Sequence, residues 1–182
     1  MRVYVETGVL IDYLAQGPFA MLRSTRRRGR DPVRLFADAS AVLQEISTQH
    51  EGATSAFACY EAEEALYRLI RTSLKGQPHV VAARLTASRP ILGQALTAAR
   101  FFGLTVLPLV EDAVADLAGA DELVKHRIHA ADGLHLMAAA SFDADLVLSA
   151  DADLLRVDRL VRNRSGRPMR CCDTDVAIPV LR

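Results

Sequence analysis

The sequence is poor in cysteine, has no long apolar run and carries no net charge. Its three cysteines are an odd number, and two of them, Cys171 and Cys172, are adjacent. This arrangement fits neither a disulfide framework nor the ligand spacing of a zinc ribbon. We therefore expect reduced thiols and a cytoplasmic protein.

Membrane-spanning and linker segments are also missing from the sequence. No stretch of about 18 apolar residues occurs, so no membrane span is predicted. The apolar run between Arg2 and Glu6 is too short for the hydrophobic part of a secretory signal. Without repeats, low-complexity segments or Gly/Ser linkers, 182 residues with 51% hydrophobic content predict one globular domain over residues 1–182.

The charge balance argues against a generic nucleic-acid-binding protein, because 22 basic residues match 22 acidic ones. Arginine nevertheless outnumbers lysine twenty to two, and many arginines fall in two clusters. The clusters are Arg23, Arg26, Arg27, Arg28, Arg30 and Arg34, and Arg156, Arg159, Arg162, Arg164, Arg167 and Arg170. Each cluster is typical either of a phosphate-binding surface or of an ordinary solvated face. In the first case, the expected RNA contacts are Arg26, Arg27, Arg28, Arg156 and Arg159.

Apolar segments alternate with helical patterns along the chain. The predicted strands are residues 3–5, 53–55, 104–109, 145–149 and 176–181, and the predicted helices are residues 9–14, 32–49, 56–74, 80–102 with an interruption near Pro90, 111–124 and 130–142. Asp31 and Pro32 are a favourable N-cap and first-turn pair for the second of these helices. Gly76, Gln77 and Pro78 end the third. This alternation predicts a mainly parallel sheet in a three-layer α/β/α sandwich.

Four acidic residues, Glu6, Glu61, Asp132 and Asp151, follow predicted strands or lie in the first turns of predicted helices. In an open parallel sheet, the carboxyl ends of the strands and the following helix starts lie along one edge, where ligands bind. Two unit charges about 4 Å apart repel by roughly 4 kcal/mol at an effective dielectric constant of about 20. A divalent cation removes that repulsion, and oxygen ligands suit Mg²⁺ or Mn²⁺. The acids therefore predict a metal-dependent phosphodiesterase site.

Each acid also has an ordinary structural explanation. An acid at a strand end or helix start is often a turn or cap residue, and for Asp132 this alternative is strong. Of the pair Asp151 and Asp153, we assign Asp151 to the site and expect Asp153 to cap the next helix or to be a secondary metal ligand. His135 lies on a Leu/Met/Ala face and is expected to be a core residue with satisfied hydrogen bonds.

Other catalytic motifs do not occur. The sequence has no Gly-rich phosphate loop followed by Lys-Ser/Thr, and no Gly-x-Ser-x-Gly turn. No cysteine has a histidine in a context typical of nucleophilic catalysis. The acidic residues remain the best candidates for chemistry.

The acidic motifs resemble those of PIN-domain ribonucleases, and most closely the VapC-type toxins of bacterial toxin–antitoxin pairs. The matching segments are VYVETGVLIDYL from residue 3, Thr54-Ser55 followed by Glu61, DGLHLMAA from residue 132, and LVLSADAD from residue 146. They follow the family order with near-family spacing over almost the whole chain. The resemblance implies an Mg²⁺- or Mn²⁺-dependent endoribonuclease, commonly a homodimer, inhibited by a small antitoxin protein. Glu6, Glu61, Asp132 and Asp151 would be its catalytic residues and, with Asp153, its metal ligands.

Three features depart from the family pattern. Glu6 replaces the usual Asp, and Gly8 replaces a residue that normally supplies a polar side chain. A helical insertion is expected around residues 17–50, which could form a dimer, antitoxin or RNA surface. Two alternatives stay open: a PIN-like RNA-processing nuclease that is not a toxin, and a PIN-like scaffold whose acids no longer hold metal.

Overall fold

The computed structural model describes residues 1–22, 27–73 and 80–182. Several sequence-based predictions concern residues outside these ranges, namely Arg23 as a member of the first arginine cluster, Arg26 as an RNA contact, Leu74 as a helix end, and Gly76, Gln77 and Pro78 as helix breakers.

The described strands form one parallel sheet of five. They are β1 (Arg2–Val5), β2 (Glu51–Ser55), β3 (Thr105–Leu107), β4 (Leu146–Leu148) and β5 (Arg170–Cys172), in the spatial order β3-β2-β1-β4-β5. All neighbouring strands pair in parallel. Helices flank the sheet, which confirms the predicted three-layer α/β/α sandwich.

The helices connect successive strands and follow β5. They are α1 (Thr7–Leu14), a 3₁₀ helix (Gly17–Leu22), α2 (Pro32–Gln49), α3 (Ala56–Ser73), α4 (Val80–Ser88), α5 (Pro90–Phe101), α6 (Glu111–Ala118), α7 (Asp121–Lys125), α8 (Ala130–Ser141), α9 (Ala152–Arg156) and α10 (Thr174–Leu181). The predicted cap of α2 is confirmed, since the Asp31 carboxylate accepts a hydrogen bond from the Arg34 backbone N–H at 2.8 Å. No helix within the described ranges is both long and apolar enough to cross a bilayer.

The prediction of a last strand at residues 176–181 is wrong. These residues belong to α10, which begins after Asp173, and the last strand is the preceding β5. A short apolar run fits a buried strand or a buried helix face equally well, so its periodicity alone does not distinguish them. The Asp173 side chain caps the start of this helix, because it accepts a hydrogen bond from the Thr174 backbone N–H at 2.7 Å.

Alternate residues of the central strands pack into two different cores, because successive side chains of a strand point to opposite faces. On β1, Val3 and Val5 join one core with residues of α1, α2 and α10, while Tyr4 joins the other with residues of α7, α8 and α9. Burial on both faces explains the uninterrupted apolar character of β1 and β4.

The strand order places a topological switch between β1 and β4. From β1 the chain builds β2 and β3 on one side, then returns to add β4 and β5 on the other. Ligands of open parallel sheets bind outside the carboxyl ends of the strands at such a switch. Glu6 follows β1 here, and its backbone N–H donates to the Leu148 carbonyl at the end of β4, at 3.0 Å.

Candidate metal centre

The structure brings Glu6, Glu61, Asp132 and Asp151 to a single cleft of about 460 Å³ at this switch. The four residues come from separate parts of the chain: the end of β1, the middle of α3, the first turn of α8 and the start of α9. The side-chain oxygens of Asp132 and Asp151 also approach Asp153, and these three residues each offer a ligand atom within 4.8 Å of the others. The cleft is therefore an acidic centre assembled by the fold.

Glu6 is buried at the base of the cleft. Burial raises the pKa of its carboxyl group, against the opposing effects of His135 and of hydrogen bonds from Gly8 and Ser149. The Ser149 hydroxyl donates to Oε2 of Glu6 at 3.1 Å. These donors fix the carboxylate in a site where its charge is disfavoured.

Gly8 allows the turn after β1 to approach the loop after β4. A Cβ atom at this position would lie 2.7 Å from the Cβ of Ala150 and 3.0 Å from Oε2 of Glu6. Real side chains do not tolerate the first distance, so the backbone would have to move. The departure from the PIN pattern at Gly8 thus has a steric reason in this chain.

Glu61 is held from two sides through one oxygen. Its Oε2 accepts hydrogen bonds from the Thr7 hydroxyl at 2.5 Å and from Nε2 of His135 at 2.7 Å. Burial by itself would raise the pKa of Glu61, but the bond and charge of His135 and the bond of Thr7 together lower it. Glu61 is accordingly an ionised carboxylate with its second oxygen left for another partner.

His135 is buried, with 1% of its surface exposed, and both ring nitrogens have partners, as the sequence predicted for a core histidine. Nδ1 lies 2.7 Å from the Tyr4 hydroxyl oxygen, and that hydroxyl donates to Oγ of Ser55 at 2.9 Å. An imidazolium that donates to both Tyr4 and Glu61 satisfies this network. Burial lowers the pKa of His135, but the hydrogen bond to Glu61 and the nearby Glu6 charge raise it by more. His135 thus links Tyr4 to Glu61 beneath the cleft.

Asp132 does not cap α8. His129 occupies the N-cap position, Asp132 lies in the first turn, and no donor within the described residues hydrogen-bonds to its carboxylate. Burial, followed by the charges of Asp151 and Glu6, raises the pKa of Asp132 to about 6. The structural explanation of this residue as a cap is therefore wrong, and its carboxylate faces other acids instead.

Asp151 lines the cleft as expected, but it is also the cap of α9, a role expected of Asp153. Asp151 is the N-cap of α9, and its Oδ1 accepts from the Asp153 backbone N–H at 2.6 Å. Asp153 forms an ion pair with Arg156 at 2.7 Å. Asp151 keeps its second oxygen for the cleft because a cap uses only one.

The candidate RNA-binding arginines differ in their exposure and in the ion pairs that they form within the fold. The mostly buried Arg27 forms ion pairs with Asp12 and Asp173, so its charge is already neutralised within the fold. This contradicts the expectation that Arg27 contacts phosphates. Arg28 is half-exposed, with its guanidinium 3.8 Å from Asp173.

Arg156 and Arg159 are exposed, Arg156 beside the cleft through its pair with Asp153. Arg159 has a left-handed backbone, with φ of 62°. Both remain accessible to a phosphate.

Sequence reasoning did not find several residues that line or support the cleft. They are Phe57, Tyr60, Glu64, Arg68, His135 and Ser149. Four of them share one face of α3 with Glu61, a pattern that helical spacing alone makes visible. No sequence pattern indicated that His135 contacts Glu61 or that Ser149 contacts Glu6, because these pairs are 74 and 143 residues apart in the chain.

Comparisons with known protein families, curated proteins and solved structures found no match to this chain. The chemistry of the cleft therefore has to follow from its own residues.

Proposed function

We propose that the protein is an Mg²⁺- or Mn²⁺-dependent endoribonuclease of the PIN type. The observation that carries the proposal is the Asp132 carboxylate, which sits among acidic groups without a hydrogen-bond donor in the described chain. In the metal-free protein, the repulsion between these carboxylates raises the free energy of the folded state, and a bound divalent cation offsets that repulsion.

The donor set fits a hard cation. Asp132, Asp151 and Asp153 offer oxygens within 4.8 Å of one another, and Glu6 and Glu61, which line the cleft with Asp132 and Asp151, would complete the donor set. All of these donate oxygen, which suits Mg²⁺ and Mn²⁺ and not the softer metals that prefer thiolate ligands. When bound, the cation would activate water and stabilise negative charge at phosphorus.

The residues around the acids prepare them for this role. Ser149 and Gly8 orient Glu6, and Thr7 and His135 fix one oxygen of Glu61. Such supporting hydrogen bonds commonly change metal affinity by about 10–100-fold when removed. Arg68 lines the same cleft, and its guanidinium, which is 74% exposed although it pairs with Glu64 at 2.8 Å, would offer a positive charge to a phosphate that the carboxylates otherwise repel.

The resemblance to PIN ribonucleases supports RNA as the substrate, because all four resembling segments contribute to this cleft or to its support. We extend the proposal to the toxin of a type II toxin–antitoxin pair, acting as a homodimer and inhibited by an antitoxin protein. A PIN-like RNA-processing nuclease without toxin function has the same cleft. A small antitoxin-like reading frame beside the gene would separate these two.

A second candidate function is a scaffold that binds no metal. It is favoured by the partners that the acids already have within the protein, since His135 hydrogen-bonds to Glu61 and the exposed Arg156 pairs with Asp153. In that case, the acids are partly neutralised by the protein itself.

Cleavage of RNA by the parent chain and by Asp132→Asn tests the nuclease proposal. The substitution keeps the side-chain volume and removes one charge from the cleft. We expect Mn²⁺-dependent cleavage by the parent, which chelation of the metal stops, and no cleavage by the folded variant. Equal activity of the two proteins would rule Asp132 out of the catalytic centre, and an inactive parent would favour the scaffold.

A further inference from the structure

A series of aromatic rings leads from the core to the mouth of the acidic cleft. The centroid of the His135 ring lies 5.9 Å from that of Tyr4 and 5.2 Å from that of Phe57. The Phe57 and Tyr60 rings stack with centroids 6.1 Å apart and an angle of 23° between their planes. Tyr60 is the outermost ring and is 55% exposed.

The position of Tyr60 distinguishes it from an ordinary exposed tyrosine. Single exposed apolar side chains are common on protein surfaces and need no explanation. Tyr60, however, lines the cleft beside Glu61, and the Phe57 ring supports one of its sides. A fixed ring that still presents a large exposed area is suited to receive another flat ring, since offset stacking is favourable.

Helix α3 presents three kinds of groups to the cleft in order. The aromatic pair Phe57 and Tyr60 comes first, the carboxylates of Glu61 and Glu64 follow, and Arg68 comes last. Tyr60 and Arg68 are eight residues apart, or about 12 Å along the helix. A nucleic acid strand offers groups in a matching order: a base for the aromatic pair, a phosphodiester that a bound cation would join to the carboxylates, and a further phosphate for Arg68.

We propose that Tyr60 is a base-stacking residue, which holds an unpaired nucleobase against its exposed face next to the phosphodiester at the acidic centre. This inference rests on the proposed nuclease function and specifies how the strand is held. Bases within a duplex are covered by their neighbours on both faces, so only an unstacked base can add to the Tyr60 ring.

Fluorescence of 2-aminopurine in a short single-stranded RNA tests the inference. Protein is titrated into this RNA with Ca²⁺ in place of Mn²⁺, and binding is followed by quenching of the base. The proteins compared are the parent chain, Tyr60→Ala, Tyr60→Phe and Phe101→Ala. Phe101 is the matched control because it is an aromatic residue, 71% exposed, on α5 and outside the cleft.

We expect the parent, Tyr60→Phe and Phe101→Ala to quench the base at similar concentrations. Tyr60→Ala should need on the order of tenfold more protein, the usual effect of losing one base–aromatic stack. Its stabilisation by Mn²⁺ should equal that of the parent, which shows that fold and metal site are intact. Equal quenching by Tyr60→Ala and the parent, or no quenching by the parent, would overturn the inference.

The failure of the proposed function has a different signature. A parent chain that shows no Mn²⁺-dependent RNA cleavage refutes the nuclease, whatever the quenching shows. A parent that cleaves RNA while Tyr60→Ala binds it equally well refutes only the role of Tyr60.

Discussion

Glu6 is the most buried of the four acids in the cleft. Its Oε2 accepts a hydrogen bond from the Ser149 hydroxyl, directly after β4, the strand that pairs with β1. The residue that follows β4 thus helps to hold the carboxylate.

Glu6→Gln should weaken Mn²⁺ binding by at least about tenfold, because the variant loses a charged oxygen ligand. Loss of even a hydrogen bond that supports a ligand commonly lowers metal affinity by that factor. The metal-free variant should be more stable than the parent, because burial disfavours the Glu6 charge by more than His135 and the hydrogen bonds from Gly8 and Ser149 favour it. Calorimetric titration with Mn²⁺ and urea denaturation measure the two effects. Glu6→Asp is the control and should retain part of the activity. Unchanged Mn²⁺ affinity in Glu6→Gln would exclude Glu6 as a ligand.

Asp132 should make both metal binding and stability depend on pH near 6. Its pKa of about 6 in the folded protein exceeds the ordinary value of 3.8, so folding favours the protonated form. The corresponding stability is fully present below about pH 4 and is lost as the pH rises through 6. Mn²⁺ affinity changes in the opposite direction, because the cation competes with the proton and binds more weakly as the pH falls through 6.

Urea denaturation of the metal-free parent and of Asp132→Asn at a series of pH values measures the stability effect. Relative to the variant, the parent should lose about 1–2 kcal/mol between pH 4 and 7, a figure reduced for the partial exposure of this carboxyl group. Parallel pH profiles of the two proteins would mean that folding does not raise the pKa of Asp132.

At the scale of elements, a buried ion network joins the segment before α2 to α10. The Arg30 guanidinium pairs with Asp173 and donates to Asp38 at 3.1 Å and to the Thr174 hydroxyl at 2.9 Å. Arg27 adds pairs with Asp12 and Asp173. This part of the first arginine cluster therefore stabilises the fold.

Asp173→Asn should destabilise the protein by about 3 kcal/mol, because Arg27 and Arg30 both lose the fully buried carboxylate with which they pair. Asparagine preserves the capping of α10, so the effect isolates the charge. Asp175→Asn is the matched control: Asp175 is 38% exposed at a distance of 3.7 Å from Arg30, and its loss should change stability by less than about 1 kcal/mol. Urea denaturation of both variants measures the difference. Similar small losses would show that the network contributes little.

At the scale of the whole molecule, Mn²⁺ should stabilise the native state by mass action. A concentration of one hundred times the dissociation constant corresponds to about 2.7 kcal/mol. Thermal or urea unfolding at increasing Mn²⁺ measures this shift. Glu122→Gln, which removes an exposed carboxylate on α7 away from the cleft, should respond like the parent, whereas Glu6→Gln should not. A parent whose stability is independent of Mn²⁺ would support the scaffold alternative.

The sequence by itself determined the architecture and the neighbourhood of the acids. The apolar runs of β1 and β4 and the Asp31-Pro32 start of α2 are local signals, since burial and capping depend on residues close together in the chain. Strands alternating with helices then required a parallel sheet, whose carboxyl edge gathers the residues that follow each strand.

Tertiary structure alone decided which side chains meet at that edge and in what state of charge. It made Asp173 a helix start and an ion-pair partner, set Asp151 rather than Asp153 as the cap, and placed His135 against Glu61. These outcomes depend on partners far apart in sequence and on burial, which changes the free energy of a charge according to its whole surroundings. Local sequence patterns indicate which residues are buried and where helices and strands begin. They do not indicate which residue, far away in the sequence, will pair with a given acid.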